Sequence, residues 1–475
     1  MLRKPFYGDD SPIAALATPP GESALALIRS SGPASVALLS RVFSRPATLR
    51  KAGGNSLVHG WILSPRETGP QAERERIDEV LIAVYRAPTS YTGEEGADIT
   101  CHGGSATVRA LLEALKAVGF REGLPGEFSF RAFMNGKLDL TQSESVMELV
   151  RARTGAGRER AVERLSGRLR GEIAALSRRL VEALAETELH LDYDEEELGL
   201  SGEVLPGREA VEDSLGRLRR LADTWPGERL YQEGALAVIA GRPNAGKSSL
   251  FNALLGEDRS IVTAMPGTTR DWIEAIVNIR GIPLRLVDTA GLRAPLSATP
   301  AGGGPDQVEE LGIARSRELI DRADLLLYLI DGTQGLQDED RAVLEAHGGR
   351  PLVLLWNKAD LALPPDQGQQ ALPGLLPLSA TSGAGLAELC GAIEAALGGG
   401  VPERGPGLGS RRQKDLVDRA RAALEEALDL ADRGEPLDLA APLLRDAVNA
   451  LGEITGEVST ADILEAIFSK FCVGK

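Results

Sequence analysis

The run Gly241-Arg242-Pro243-Asn244-Ala245-Gly246-Lys247-Ser248, continued by Ser249, fits the pattern G-x-x-x-x-G-K-[ST]. In such a loop successive backbone N–H groups point inward and cradle phosphate oxygens. Asn244, Ala245, Gly246 and Ser249 belong to the contacting set, Lys247 would reach the β- and γ-phosphates, and Ser248 would hold Mg²⁺. The apolar run 235–240 before the loop reads as a buried strand and 249–255 after it as a helix, which is the order the loop needs.

Further motifs follow in sequence. Asp288-Thr289-Ala290-Gly291 comes after the strand-like run 284–287. A carboxylate there can hold the Mg²⁺ water shell, and a glycine N–H can meet the γ-phosphate. Asn357-Lys358-Ala359-Asp360 comes after the apolar run 352–356. The Asp360 carboxylate can accept from the guanine N1 and N2 donors, which adenine lacks; a site built on such pairs rejects a base that cannot make them. Ser379-Ala380, after 375–378, matches the last base-contacting loop, and Thr268 and Thr269 lie where a threonine completes the Mg²⁺ shell. Five ordered motifs define a GTP-binding, doubly wound α/β domain over residues 229–400.

Leu292 stands where Ras-like enzymes carry the glutamine that orients the attacking water. No arginine finger is evident either. A finger supplied in trans contributes about 10³–10⁵ in rate, so another positive charge must take its place.

The chain has 475 residues, room for about three domains. Its 53 basic and 69 acidic side chains give a net charge of −16, so any RNA contact needs a local patch or a partner. Cys101, Cys390 and Cys472 show no C-x-x-C spacing, which argues for a reducing compartment and against a disulfide framework or zinc site. No stretch of about 18 apolar residues occurs and the first residues lack a hydrophobic signal core. The expectation is a soluble, cytoplasmic protein with no membrane partner.

Residues 1–123 read as a small α+β domain. Ile13–Ala17 and Glu79–Tyr85 are strand candidates, and Ala106–Val118 an amphipathic helix. Its 14 basic and 13 acidic residues put the acidity elsewhere. Residues 124–228 read as the first part of a helical domain. There Val162, Leu165, Leu169, Ile173, Leu176, Leu180 and Leu184 fall on one face of a long helix. Seven arginines between Arg151 and Arg170 are either a solvated helix face or a patch for RNA or a partner. The acidic cluster 192–197 reads as a solvated helix end. A Gly/Pro linker at 398–407 precedes more helical spacing in 401–475, with Ser459 or Thr460 capping a last helix. The two helical parts need each other's apolar faces, so the GTP-binding domain is inserted in a discontinuous helical domain.

Other stretches carry a resemblance. They are Ala17-Thr18-Pro19-Pro20-Gly21-Glu22, Ser90-Tyr91-Thr92-Gly93-Glu94, Cys101-His102-Gly103-Gly104, Pro125-Gly126-Glu127-Phe128, Arg131-Ala132-Phe133, Asn135 through Leu140, and the ending Phe471-Cys472-Val473-Gly474-Lys475. From about residue 11 to its end the chain resembles the MnmE/TrmE family of tRNA-modification GTPases. The resemblance implies an N-terminal domain like tetrahydrofolate-binding domains that forms a homodimer. It implies a FAD-dependent flavoprotein partner, MnmG/GidA, in a heterotetramer, and tRNA as substrate. It implies modification of the wobble uridine at C5 with an aminomethyl or carboxymethylaminomethyl group, the carbon coming from 5,10-methylenetetrahydrofolate or a related reduced folate.

The resemblance also implies that K⁺ binds between paired GTP-binding domains, held by Asn244 and the loop containing Thr263, Met265 and Thr268, and replaces the missing finger. Glu309 matches the family glutamate that orders the attacking water, with Asn244, Lys247 and Thr269 completing the catalytic set. Arg29, Glu79, Arg131, Lys137 and Lys475 are the implied folate contacts. Cys472 is either a buried thiol packing the last helix or a residue with a chemical role, and His102 either a structural turn histidine or part of a folate pocket. Departures from the family pattern are Ser23, Ala24 and Ala26 in place of glycines, Phe130 in place of a polar residue, and a long Gly/Pro-rich segment, 294–307. A ribosome-assembly GTPase is the alternative. Such proteins usually append a basic RNA-binding module, and none is recognisable here.

Overall fold

A computed structural model of the chain describes residues 10–65, 74–192, 205–257, 274–288, 319–347, 350–364, 374–398 and 405–474. Two compact units divide it: Met1–Met147, Arg164–Leu218 and Asp415–Lys475 form the first, Glu148–Glu163 and Arg219–Lys414 the second.

The first unit begins with a six-stranded sheet made of β1 (Ile13–Leu16), β2 (Ser23–Ser31), β3 (Ser56–Leu63), β4 (Arg76–Tyr85), β5 (Gly96–Gly103) and β6 (Arg121–Glu122). The spatial order is β3-β4-β5-β2-β1-β6. Strict alternation in β4 buries Val80, Ile82 and Val84 on one face, where they join a core covered in part by the helix Ser105–Ala117. Glycines are not required at 23, 24 and 26, because these residues lie in or beside an ordinary extended strand. A register irregularity between Ser23 and Leu25 absorbs the extra residue, and Ala26 is buried in the core.

The helical part of this unit shows why its motif residues are what they are. Gly126 has φ 72°, and a Cβ there would fall 2.2 Å from the Phe468 carbonyl oxygen, so only glycine fits. Glu127 is fully buried and accepts from Arg121 Nη2 (2.6 Å), Arg131 Nη2 (2.9 Å) and the Leu124 N–H (3.0 Å). Asp139 and Gln142 form a reciprocal cap: Asp139 Oδ1 takes the Gln142 N–H at 2.8 Å, and Gln142 Oε1 takes the Asp139 N–H at 3.1 Å. Phe130 meets Phe468 edge-on at 5.5 Å, which accounts for an aromatic residue at that position. Thr460 caps the helix Ala461–Phe468 through the Ile463 N–H.

Two expectations need correction. The long helix over 162–184 is two helices, Gly155–Leu165 and Arg168–Asp192, interrupted at Gly167 with φ 87°. Val162 is exposed, whereas Leu169, Ile173, Leu176 and Leu180 are buried as the spacing predicts. The arginine run is neither a uniform solvated face nor a single patch. Arg164 is buried, Arg160 pairs with Glu228 and stacks over Tyr231 at 4.0 Å, and Arg170 reaches Asp139 at 3.5 Å. Most of the acidic cluster lies outside the described residues.

The second unit holds a sheet of β7 (Ala235–Gly241), β8 (Glu274–Ile279), β9 (Ile282–Asp288), β10 (Leu325–Asp331), β11 (Leu352–Asn357) and β12 (Leu376–Pro377), ordered β12-β11-β10-β7-β9-β8. Five strands are parallel and only the edge strand β8 is antiparallel. Near-continuous burial along β7 and β10 is what a parallel strand covered on both faces requires. The chain leaves β7, adds β9 on one side and β10 on the other, so the carboxyl end of β7 is the switch point where ligands bind in such sheets.

Candidate nucleotide site

The phosphate loop lies at that switch point, between β7 and the helix Lys247–Glu257. Asn244 has φ 61° and Gly246 φ 96°, and a Cβ on Gly246 would meet the Asn357 side-chain nitrogen at 2.1 Å. Lys247 is buried, and its Nζ donates to the carbonyls of Gly241 (2.8 Å) and Arg242 (2.9 Å), folding the amine back along the loop. Ser248 Oγ donates to Asp288 Oδ2 at 2.7 Å. Two of the three residues expected to share Mg²⁺ are thus in contact, and their hard oxygen donors suit that ion.

Asn357 spans the site. Its Nδ2 donates to the Ala245 carbonyl at 2.7 Å, and its Oδ1 accepts from the Ala380 N–H at 3.1 Å. Asp360 is exposed. Ser379 is buried and closes its own turn: its N–H donates to the Ala384 carbonyl and its Oγ accepts from the Ser382 N–H. Thr263, Met265, Thr268, Thr269, Thr289, Ala290, Gly291, Leu292 and Glu309 lie outside the described residues.

Two carboxylates escaped the motif reading. Asp331, at the end of β10, takes Lys358 Nζ at 2.7 Å. Burial alone would raise its pKa, but hydrogen bonds from Lys358 and Thr333 outweigh that and hold it below the ordinary aspartate value. Asp340, fully buried, faces Arg242 of the phosphate loop. An Asp placed straight after the apolar run 325–330 was the available signal for Asp331.

Each described residue expected to meet a folate is engaged with a protein partner. Arg131 is buried among Glu94 (3.1 Å), Glu127 and the Ser11 carbonyl, so its guanidinium serves the fold and is not presented to a ligand carboxylate. Lys137 donates to the Pro88 carbonyl at 3.1 Å, and Glu79 pairs with His59 at 2.9 Å. Arg29 is held by Asp98, lies over Tyr91 at 5.7 Å and reaches the Gly474 carbonyl at 3.4 Å. Lys475 lies outside the described residues. His102 is a strand residue, not a turn residue; its Nδ1 meets Asp78 Oδ1 at 2.7 Å. Cys472 is exposed, and its neighbour Phe471 does the packing. Burial, reinforced by Asp78, pushes the Cys101 thiol to about 11.

A parallel sheet with a phosphate loop at its switch point, a serine–aspartate pair for Mg²⁺ and an N-K-x-D segment at the next strand end define a P-loop GTPase domain within a longer chain. Residues 12–137 match the family profile described as GTP-binding protein TrmE N-terminus, and residues 140–472 that described as MnmE helical domain. The chain belongs to the MnmE/TrmE family of GTPases. Among its curated relatives, a protein of Treponema denticola is 38% identical, covering 99% of both chains. One of Moorella thermoacetica is 40% identical over 98% of this chain and 100% of its own. One of Thermotoga maritima is 38% identical over 98% and 99%. Each is named tRNA modification GTPase MnmE. Among solved structures, the G domain of the Thermotoga maritima FeoB iron transporter is 28% identical, covering 34% of this chain and 98% of that one at a TM-score of 0.25.

Proposed function

We propose that this GTPase is the nucleotide-hydrolysing component of a complex that modifies C5 of the wobble uridine in certain tRNAs. The observation that carries the reading is the converging set Ser248–Asp288–Asn357 on a chain whose relatives, matched end to end, carry that name. Lys247 and the loop N–H groups bind and orient the β- and γ-phosphates, and Asp360 reads guanine. Ser248, Asp288 and Thr269 would hold Mg²⁺, which supplies charge neutralisation on the phosphate oxygens. Asn244 and the loop 263–268 would hold K⁺, which supplies the positive charge a finger would bring. Glu309 orients the attacking water. The protein works in the cytoplasm with the MnmG/GidA flavoprotein.

A homodimer through the N-terminal sheet is part of the same reading. Leu57, Leu25 and Leu81 are 66%, 60% and 39% exposed, and the strand registers put all three on the sheet face opposite Val80, Ile82 and Val84, a face that fits a self-complementary contact. A reduced folate is assigned to this domain on the family match; Arg29, already bidentate to Asp98, would have to share or release that partner to meet a folate carboxylate. Mass analysis of wobble nucleosides in tRNA from cells lacking the protein tests the function; an unchanged nucleoside profile removes it. Light scattering of Leu57→Lys tests the dimer separately.

A further inference from the structure

The segment Asp331–Asp340 carries two buried carboxylates, and each grips a cation from a different loop of the nucleotide site. Asp331 Oδ1 is fixed by the Thr333 N–H (3.0 Å) and Oγ1 (2.6 Å), leaving Oδ2 for Lys358 Nζ at 2.7 Å. Lys358 itself has φ 63°, a backbone conformation that needs outside support in a non-glycine residue. Asp340 Oδ1 accepts from Tyr328 Oη at 2.9 Å, and Oδ2 from the Gln337 N–H at 2.9 Å. Oδ2 also lies 3.2 Å from Arg242 Nε. The Arg242 guanidinium donates further to Gln334 Oε1 (3.0 Å) and to the Gly335 carbonyl (3.3 Å). Arg242 is the second residue of the phosphate loop and Lys358 the second of the N-K-x-D segment. A buried ion pair holds its geometry firmly, because removing one partner strands the other's charge.

We propose that Asp331 and Asp340 are positioning residues for the bound nucleotide. Asp331 sets Lys358 beside the base, and Asp340 sets the phosphate loop through Arg242. The short segment between them clasps the two halves of the site. The proposal rests on the reading that residues 241–249 and 357–360 contact GTP.

The test is stopped-flow release of a fluorescent GDP from the full chain in Mg²⁺. Asp331→Asn is expected to speed release about tenfold, the size of one lost charge-assisted hydrogen bond. Lys358→Ala does at least as much, and the double variant is no faster than Lys358→Ala alone. Arg242→Ala and Asp340→Asn form a second cycle, with a smaller acceleration of about threefold expected, because Arg242 Nε and Asp340 Oδ2 make an ion pair without hydrogen-bond geometry. For Asp331→Asn and Asp340→Asn, steady-state kcat stays within about twofold while KM for GTP rises, a split that general loosening of the fold would not give. Should Asp340→Asn fail to fold, Arg242→Gln leaves the Tyr328 and Gln337 contacts in place and reads the same link. Accelerations that multiply in both double variants overturn the clasp while leaving the site. Unchanged GDP release in Lys358→Ala removes the site reading itself, and the clasp with it.

Discussion

The Asn357 side chain donates to the Ala245 carbonyl across 2.7 Å, so the first residue of the base-reading segment is fastened to the phosphate loop. Its other end accepts from Ala380. One amide therefore ties three loops together, using one of its two N–H donors and one of its two acceptor lone pairs.

Asp360→Asn should weaken GTP by about 100-fold and admit xanthosine triphosphate, because the amide donates where the carboxylate accepted. Competition between the two nucleotides for the variant checks it. Wild-type GTP affinity would remove Asp360 from the base site.

Hydrolysis should be faster in K⁺ than in Na⁺ by at least about tenfold, with Mg²⁺ required in both salts. Asn244→Ala should lose the K⁺ stimulation and still bind nucleotide. Steady-state turnover in matched KCl and NaCl measures it, and equal rates would show that the charge comes from elsewhere.

Glu309→Ala should slow turnover by about 100-fold while changing GTP affinity little, since an orienting contact to the attacking water acts in the transition state. Separate measurement of kcat and of GTP binding decides it. Turnover at the wild-type rate would move the role to Glu310.

Glu127 predicts a pH dependence of stability. Burial would raise its pKa, but hydrogen bonds from Arg121, the Leu124 N–H and Arg131 hold it below the ordinary 4.5. A carboxyl depressed in the folded state stabilises fully above its unfolded pKa, and that contribution disappears as pH falls through the folded value. Urea midpoints of the wild type should therefore drop below about pH 4.5. Glu127→Gln should lose about 1–3 kcal/mol at neutral pH, because charge-assisted bonds are lost while Arg131 keeps Glu94 and Arg121 stays partly solvated. It should also show a flatter acid limb; parallel pH profiles for the two proteins would refute the assignment.

The nucleotide site was legible where local patterns carry it. A phosphate loop needs a buried strand before it and a helix after it, and all three can be read from one stretch of chain. The pairings of Asp331 and Asp340 were not legible, because their partners Lys358 and Arg242 lie on other strand ends and only the parallel sheet brings them together. The helix break at Gly167 was hidden because apolar spacing continued across it. Arg131 was misread for a related reason. A cation in a motif looks available for a ligand until Glu94 and Glu127, from separate parts of the chain, close around it.

The aromatic cluster has a consequence for how the chain is made. Phe130 and Phe133 come early in the sequence, while Phe468, which they pack against, and Phe471 come at the far end. During vectorial synthesis the first unit stays unfinished until those last aromatics emerge, whereas the sheet of the second unit is complete once β12 has left the ribosome. The N-terminal sheet, whose core comes from residues 14–120, can thus form first, the inserted GTPase domain next, and the helical host closes last, around contacts of very long sequence separation.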